Sequence, residues 1–191
     1  MSDPDKRVLE FLAHRRSPSA KLFAKPVPMR AELEKILASA LRVPDHGKLE
    51  PWRLVVLTEP DFRILADLAE ERAVELGGDG AMIAKGRGQF DRGKLAVAVI
   101  FSPKPSEKIP RHEQFLSAGA LCLNLVICAT AAGWGASWLT GWPSRDPEFR
   151  AKALGCAQEE RVAGIVHIAT SPTPCADRKR PDLTTLVQWG L

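Results

Sequence analysis

Apolar positions change their spacing along this chain, and the changes mark out its elements. Val8, Leu9, Phe11 and Leu12 recur at helical spacing, with Ser2 or Asp3 available as a cap. Pro26 and Pro28 break the chain before a second helix, whose apolar positions include Leu33, Ile36, Leu37 and Leu41, and Pro44 ends it. Trp52 to Thr58 reads as a strand. Phe62 to Leu76 reads as a helix stopped by Gly77-Gly78-Asp79-Gly80. From there to Gly93 the chain is polar and glycine-rich, and it is expected to be a mobile segment of the kind that covers a site. Leu95 to Phe101 is a near-continuous apolar run, expected as a strand buried on both faces. His112 to Ala132 follows as a long helix, then a glycine turn and a short strand from Ala136 to Leu139. Pro147 to Leu154 is a short helix, Val162 to Ala169 a last core strand, and the tail beyond Pro172 is irregular until Leu183. Helices and strands mix without strict alternation, which makes α+β the expected class.

With 191 residues, 45% hydrophobic and 26% charged, the chain fits one domain over 1–191 that can bury a substantial core. The run from Phe115 to Gly133 is apolar enough to suggest a membrane span. It carries Ser117, Asn124 and Thr130, however, and stands alone, so a central helix buried in a domain or dimer is expected and no membrane. The first seven residues hold no apolar signal core. Cys122, Cys128, Cys156 and Cys175 show no Cys-x-x-Cys spacing, and the four histidines are scattered, so no metal is expected. Free thiols point to a reducing cytoplasm. A net charge of +4 suits an anionic cofactor or substrate, and the absence of a long Lys/Arg tract argues against nucleic acid.

Four clusters carry possible chemistry. Arg15-Arg16-Ser17 closes the first helix, where guanidiniums beside a hydroxyl form a grip for phosphate. A helix C-terminus also favours positive charge with no ligand at all. In the loop from Arg42 to Trp52, His46 can donate a hydrogen bond and Arg42 can offset negative charge; a loop histidine can equally cap a backbone group. Small residues and tryptophans from Ala131 to Trp142 admit a planar ligand, or simply make a tight turn with core tryptophans. Arg178-Lys179-Arg180-Pro181 is either an anion contact or a solvated basic tail. No Gly-x-Gly-x-x-Gly follows a strand, no phosphate loop of Walker type occurs, and nothing resembles a nucleophile elbow.

In their order along the chain, from about Val8 to about Trp189, these motifs resemble the FMN-dependent nitroreductase family, most closely its small, compact branch. The resemblance implies a central mixed sheet flanked by helices, in an intertwined homodimer whose C-terminal extension reaches toward the partner. It implies FMN as cofactor, with Arg15, Arg16 and Ser17 at its phosphate and ribityl chain and Arg180 at the phosphate, Arg178 being the spare. Arg42 and His46 would reach it from the second subunit, while Trp138, Leu139 and Thr140 would line the isoalloxazine. The helix end from Cys128 through Ala129, Thr130, Ala131 and Ala132 to Gly133 would contact the nicotinamide dinucleotide. Hydride would pass in ping-pong fashion from NAD(P)H through the flavin to a nitroaromatic, quinone or similar acceptor. The flavin carries that chemistry, so no side chain is assigned as a catalytic acid or base.

The chain departs from commoner members at Ser19 and Lys48, at Glu50, and at Leu139, where some carry arginine. Ser19 replaces a lysine near the flavin pyrimidine edge, and Lys48 is the candidate to supply the missing charge. A non-catalytic FMN-binding storage, sensor or interaction protein on the same fold is the alternative. A basic nucleic-acid module would require aromatic residues alternating with basic ones, and here they cluster in apolar contexts.

Overall fold

A computed structural model of the chain describes residues 5–190. In chain order the described elements are α1 (Lys6–His14), α2 (Arg30–Ala40), β1 (Trp52–Thr58), α3 (Glu59–Glu75), α4 (Gly80–Arg87), β2 (Leu95–Phe101), α5 (Arg111–Ala131), β3 (Gly135–Leu139), α6 (Trp142–Arg145), α7 (Pro147–Leu154), β4 (Arg161–Ala169) and α8 (Leu183–Leu186). Short 3₁₀ turns occupy Ala20–Leu22 and His46–Lys48. The strands form one sheet in the order β1-β2-β4-β3.

Where a mixed sheet was expected, every pairing is antiparallel. The reason lies in the connections. β2 and β3 run in the same direction and are joined through α5, but β4 is inserted between them and opposes both. The β2–α5–β3 crossover therefore creates no parallel neighbours.

β2 is buried at all seven positions and shows how the sheet divides the core. Leu95, Val97, Val99 and Phe101 pack with Leu33 and Ile36 of α2 and with Leu121, Leu125 and Ala129 of α5. Ala96, Ala98 and Ile100 face the other way, toward Phe62, Leu65 and Ala69 of α3 and Phe149 of α7. The period-2 alternation thus feeds two separate apolar layers.

The expected mobile segment after Gly77 is instead the helix α4. Asp79 caps it by accepting from the Met82 N–H at 2.8 Å, and the Trp142 indole lies against Gly86, where a Cβ would collide with the ring. Asp5 caps α1; the caps expected at Ser2 or Asp3 lie outside the described residues. α5 is long and apolar enough to cross a membrane. Its buried face packs on the sheet and α2, as expected of a central helix.

Candidate functional site

At the end of α1, the N–H of Arg15 closes the helix on the Phe11 carbonyl, and His14 Nδ1 meets the Glu10 carbonyl at 2.8 Å. This leaves Arg15 and Arg16 half-buried at the negative end of the helix dipole, where cations are favoured. Arg15 Nη1 reaches the Ser17 hydroxyl at 3.5 Å, so the two groups expected to share an anion share a locality. Arg16 donates from Nε to the Ala176 carbonyl at 3.2 Å.

The C-terminal tail comes back to the same place. Arg180 donates to the Ala13 carbonyl, to the Arg178 carbonyl at 2.5 Å and to Asp177 at 3.1 Å. The first and fourth basic clusters, far apart in sequence, therefore meet. Backbone donation from Arg178, then Arg180, with Arg16 nearby, holds the Asp177 carboxyl below its usual range. Arg16 and Arg180 share one carboxylate and Arg15 stands beside Ser17, so the cluster keeps a surplus of positive charge that suits a phosphate.

Beside it lies a recess of about 570 Å³, bounded by Arg16, Pro18, Thr130, Gly133, Thr170 and Cys175. Of the helix end expected to meet a dinucleotide, Thr130, Ala132 and Gly133 line this recess. Ala129 is fully buried, and Thr130 spends its hydroxyl on the Val126 carbonyl at 2.7 Å. Cys128 is half-buried against the core, and Ala131 is exposed.

The three aromatic-segment residues divide. Trp138 is 40% exposed; its indole lies over Gly164, where even a methyl group would clash, and donates from Nε1 to the Ala163 carbonyl at 3.2 Å. Leu139 is half-buried on β3, opposite Ile165, and Thr140 is exposed beyond the strand. Trp134 instead packs on the core, and its Nε1 donates to Glu32 at 2.7 Å, tying the end of α5 to α2.

Arg42 and His46 are not beside the Arg15 cluster within one chain. Their loop runs back along α5 from Asn124, which meets the Arg42 carbonyl at 3.3 Å, to its first turn, where His46 Nδ1 is 2.9 Å from Glu113 Oε2. Glu113 and Thr130 are seventeen residues apart on that helix, about 25 Å at its usual rise. Gly47, Lys48 and Glu50 all adopt positive φ (72°, 52° and 48°), which folds the loop tightly. Gly47 needs its lack of a Cβ: Ile109 occupies that space. Glu113 was not singled out from sequence; at the start of a helix an acidic residue is ordinarily read as a dipole partner.

An α+β domain with an antiparallel sheet between helical layers, and a basic cleft at the end of α1, defines the class. The chain belongs to the Nitroreductase family, whose sequence profile matches residues 12–170. It is 32% identical over 162 residues to a protein of Escherichia coli (strain K12) named "Putative NAD(P)H nitroreductase YdjA", covering 85% of this chain and 87% of that one. Among solved structures, a nitroreductase-like family protein from Bacillus cereus superposes with a TM-score of 0.77 at 20% identity, covering 99% and 98% of the two chains. A nitroreductase with bound FMN from Bacteroides fragilis NCTC 9343 gives 0.74 at 19%, covering 97% and 100%. These likenesses agree with the fold class read from the sequence.

Proposed function

We propose that this protein is an FMN-dependent NAD(P)H oxidoreductase acting, as a homodimer, on a nitroaromatic, quinone or similar acceptor. The observation that carries the reading is the surplus of positive charge at Arg15, Arg16 and Arg180, with Arg16 bordering the recess at Thr130 and Gly133. The family membership and the FMN named in the Bacteroides fragilis structure support it.

Bound there, FMN would supply the hydride chemistry, accepting from a nicotinamide donor and giving to the acceptor. The chain's own residues bind and orient. Arg15 and Ser17 grip the phosphate, and Arg16 adds positive potential at the recess. Arg180 contributes once its donors turn from Ala13 and Asp177. Trp138 offers a flat apolar wall, held by its bond to Ala163, while Leu139 and Thr140 border it. The helix end from Cys128 to Gly133 is the nicotinamide side.

Two features support a homodimer. The separation of about 25 Å along α5 puts His46 beyond the reach of an FMN held by the Arg15 cluster of the same chain. α5 also exposes Leu116 and Leu123, with half-exposed Ala120 and Ile127 on the same stripe and open space at Gly119. Two such helices packed antiparallel bring the Arg42–His46 loop of each copy to the basic cleft of the other.

The deciding experiment is the visible spectrum of purified protein after FMN addition and desalting, followed by anaerobic NADH or NADPH. Retained flavin that bleaches with either donor is the expected result. Retained flavin that stays yellow would favour the non-catalytic binder, and a folded dimer without flavin would overturn the reading. Arg15→Ala is expected to weaken FMN binding by about 1.5–3 kcal/mol, measured by fluorescence titration.

A further inference from the structure

α5 is apolar except for a few positions, and three of these share one stripe. Glu113, Ser117 and Asn124 stand four and seven residues apart, close to whole turns, and all point at the loop between α2 and β1. Asn124 donates to the Ala40 carbonyl at 2.8 Å and to the Arg42 carbonyl at 3.3 Å. Ser117, buried, donates to the Pro44 carbonyl at 2.9 Å. Both therefore fix backbone.

Glu113 does something different. It leaves the backbone alone and takes the side chain of His46, Oε2 to Nδ1 at 2.9 Å. The loop does not need this bond for its shape, because Asp45 already accepts from the Glu50 N–H at 2.7 Å and Gly47 is seated on Ile109. What the bond settles is the imidazole. A carboxylate can only accept, so Nδ1 carries the hydrogen, and Nε2 is left as the nitrogen open to a ligand. The His46 side chain is 65% exposed, so that nitrogen is available to a neighbouring molecule.

We propose that Glu113 is a positioning residue for ligand binding: it orients His46 and fixes hydrogen on Nδ1. Nε2 then accepts a hydrogen bond from an O–H or N–H group of the flavin nucleotide held by a second copy of this chain. This rests on the flavin-binding reading above. The same pairing explains a glutamate in the first turn of an otherwise apolar helix, at a position the dipole alone would not aim at a histidine.

A double-mutant cycle on FMN affinity, with ring ¹⁵N NMR, tests it. In the wild-type protein the His46 signals should show Nδ1 protonated, and Glu113→Ala should abolish that preference. Glu113→Ala should weaken FMN binding about tenfold. In the His46→Ala background the same change should cost nothing further. Glu113→Gln, which keeps an acceptor but no charge, should fall between. An equal loss in both backgrounds would mean a merely structural glutamate and would overturn the proposal. So would an unprotonated Nδ1 in the wild type, or a His46→Ala variant that binds FMN normally. Failure of the wild-type protein to bind FMN would sink the functional reading instead, and the NMR result would still judge the Glu113–His46 pairing by itself.

Discussion

The two helical layers on either side of the sheet are finished in opposite ways. On the α3 side the outer surface is knitted by charge. Arg72 pairs with Asp146 and Glu75 at 3.0 Å and with Glu148 at 2.5 Å, and Arg87 reaches Asp67, Glu70 and Asp91. Glu59 sits between Lys25 and Lys94, which hold its carboxyl down at about 2. Exposed apolar residues there, such as Ile64 and Val74, are interspersed with charged ones. On the α5 side, the helix shows water a stripe of leucines and small residues, and its polar groups turn inward to hold a loop. A surface finished in charge is complete in water; one finished in leucine is the place to expect a partner.

The sharpest way to break this contrast is to put one charge on each layer. Leu123→Asp should turn the proposed dimer into a monomer, costing about 3 kcal/mol or more, near a hundredfold in dimer dissociation. Val74→Asp, at a residue 60% exposed on α3, should leave the mass from light scattering unchanged. A monomeric wild-type protein that still holds FMN would refute the cross-subunit arrangement.

Next in size is a pH effect confined to the α3 side. His167 on β4 is stacked on Phe62, ring centroids 5.3 Å apart, and burial pushes its pKa down to about 4. The unfolded chain, with an ordinary histidine near 6.5, binds the proton first. Stability is therefore full above about 6.5 and falls as pH drops toward 4, by about 3 kcal/mol in all. His167→Leu should flatten that slope in urea melts at successive pH values. A second loss should follow between about 4.5 and 2, where Glu160, held down to about 2 chiefly by Arg53, takes its proton. Glu160→Gln should remove that lower limb.

The smallest expected effect is on the α5 side. Trp134→Phe keeps the ring in the core but removes the donor to Glu32, so a loss of about 1 kcal/mol is expected from the urea midpoint.

Elements were legible in the sequence wherever apolar pattern alone decides them. β1, β2 and α7 have the limits their spacing predicts. α4 was not legible, because three glycines in or at the end of that stretch read as a loop. The Asp79 cap and a tryptophan sixty residues downstream of Met82, donating to its carbonyl, make the helix. The all-antiparallel sheet was hidden for a similar reason: the β2–β4 pairing joins strands some sixty residues apart. At the candidate site the residue types were legible, and Arg15, Ser17, Arg16 and Arg180 do converge. The bond from Glu113 to His46 was not, since it spans sixty-seven positions and leaves no local pattern.

The thiols give the molecule a convenient asymmetry. Cys122 is fully buried, its thiol pushed up to about 12, and burial raises Cys128 and Cys156 as well. Cys175, exposed, stands at the mouth of the recess beside Arg16. A maleimide dye should therefore settle on each chain at that rim, where its emission would report every molecule entering or leaving the cleft.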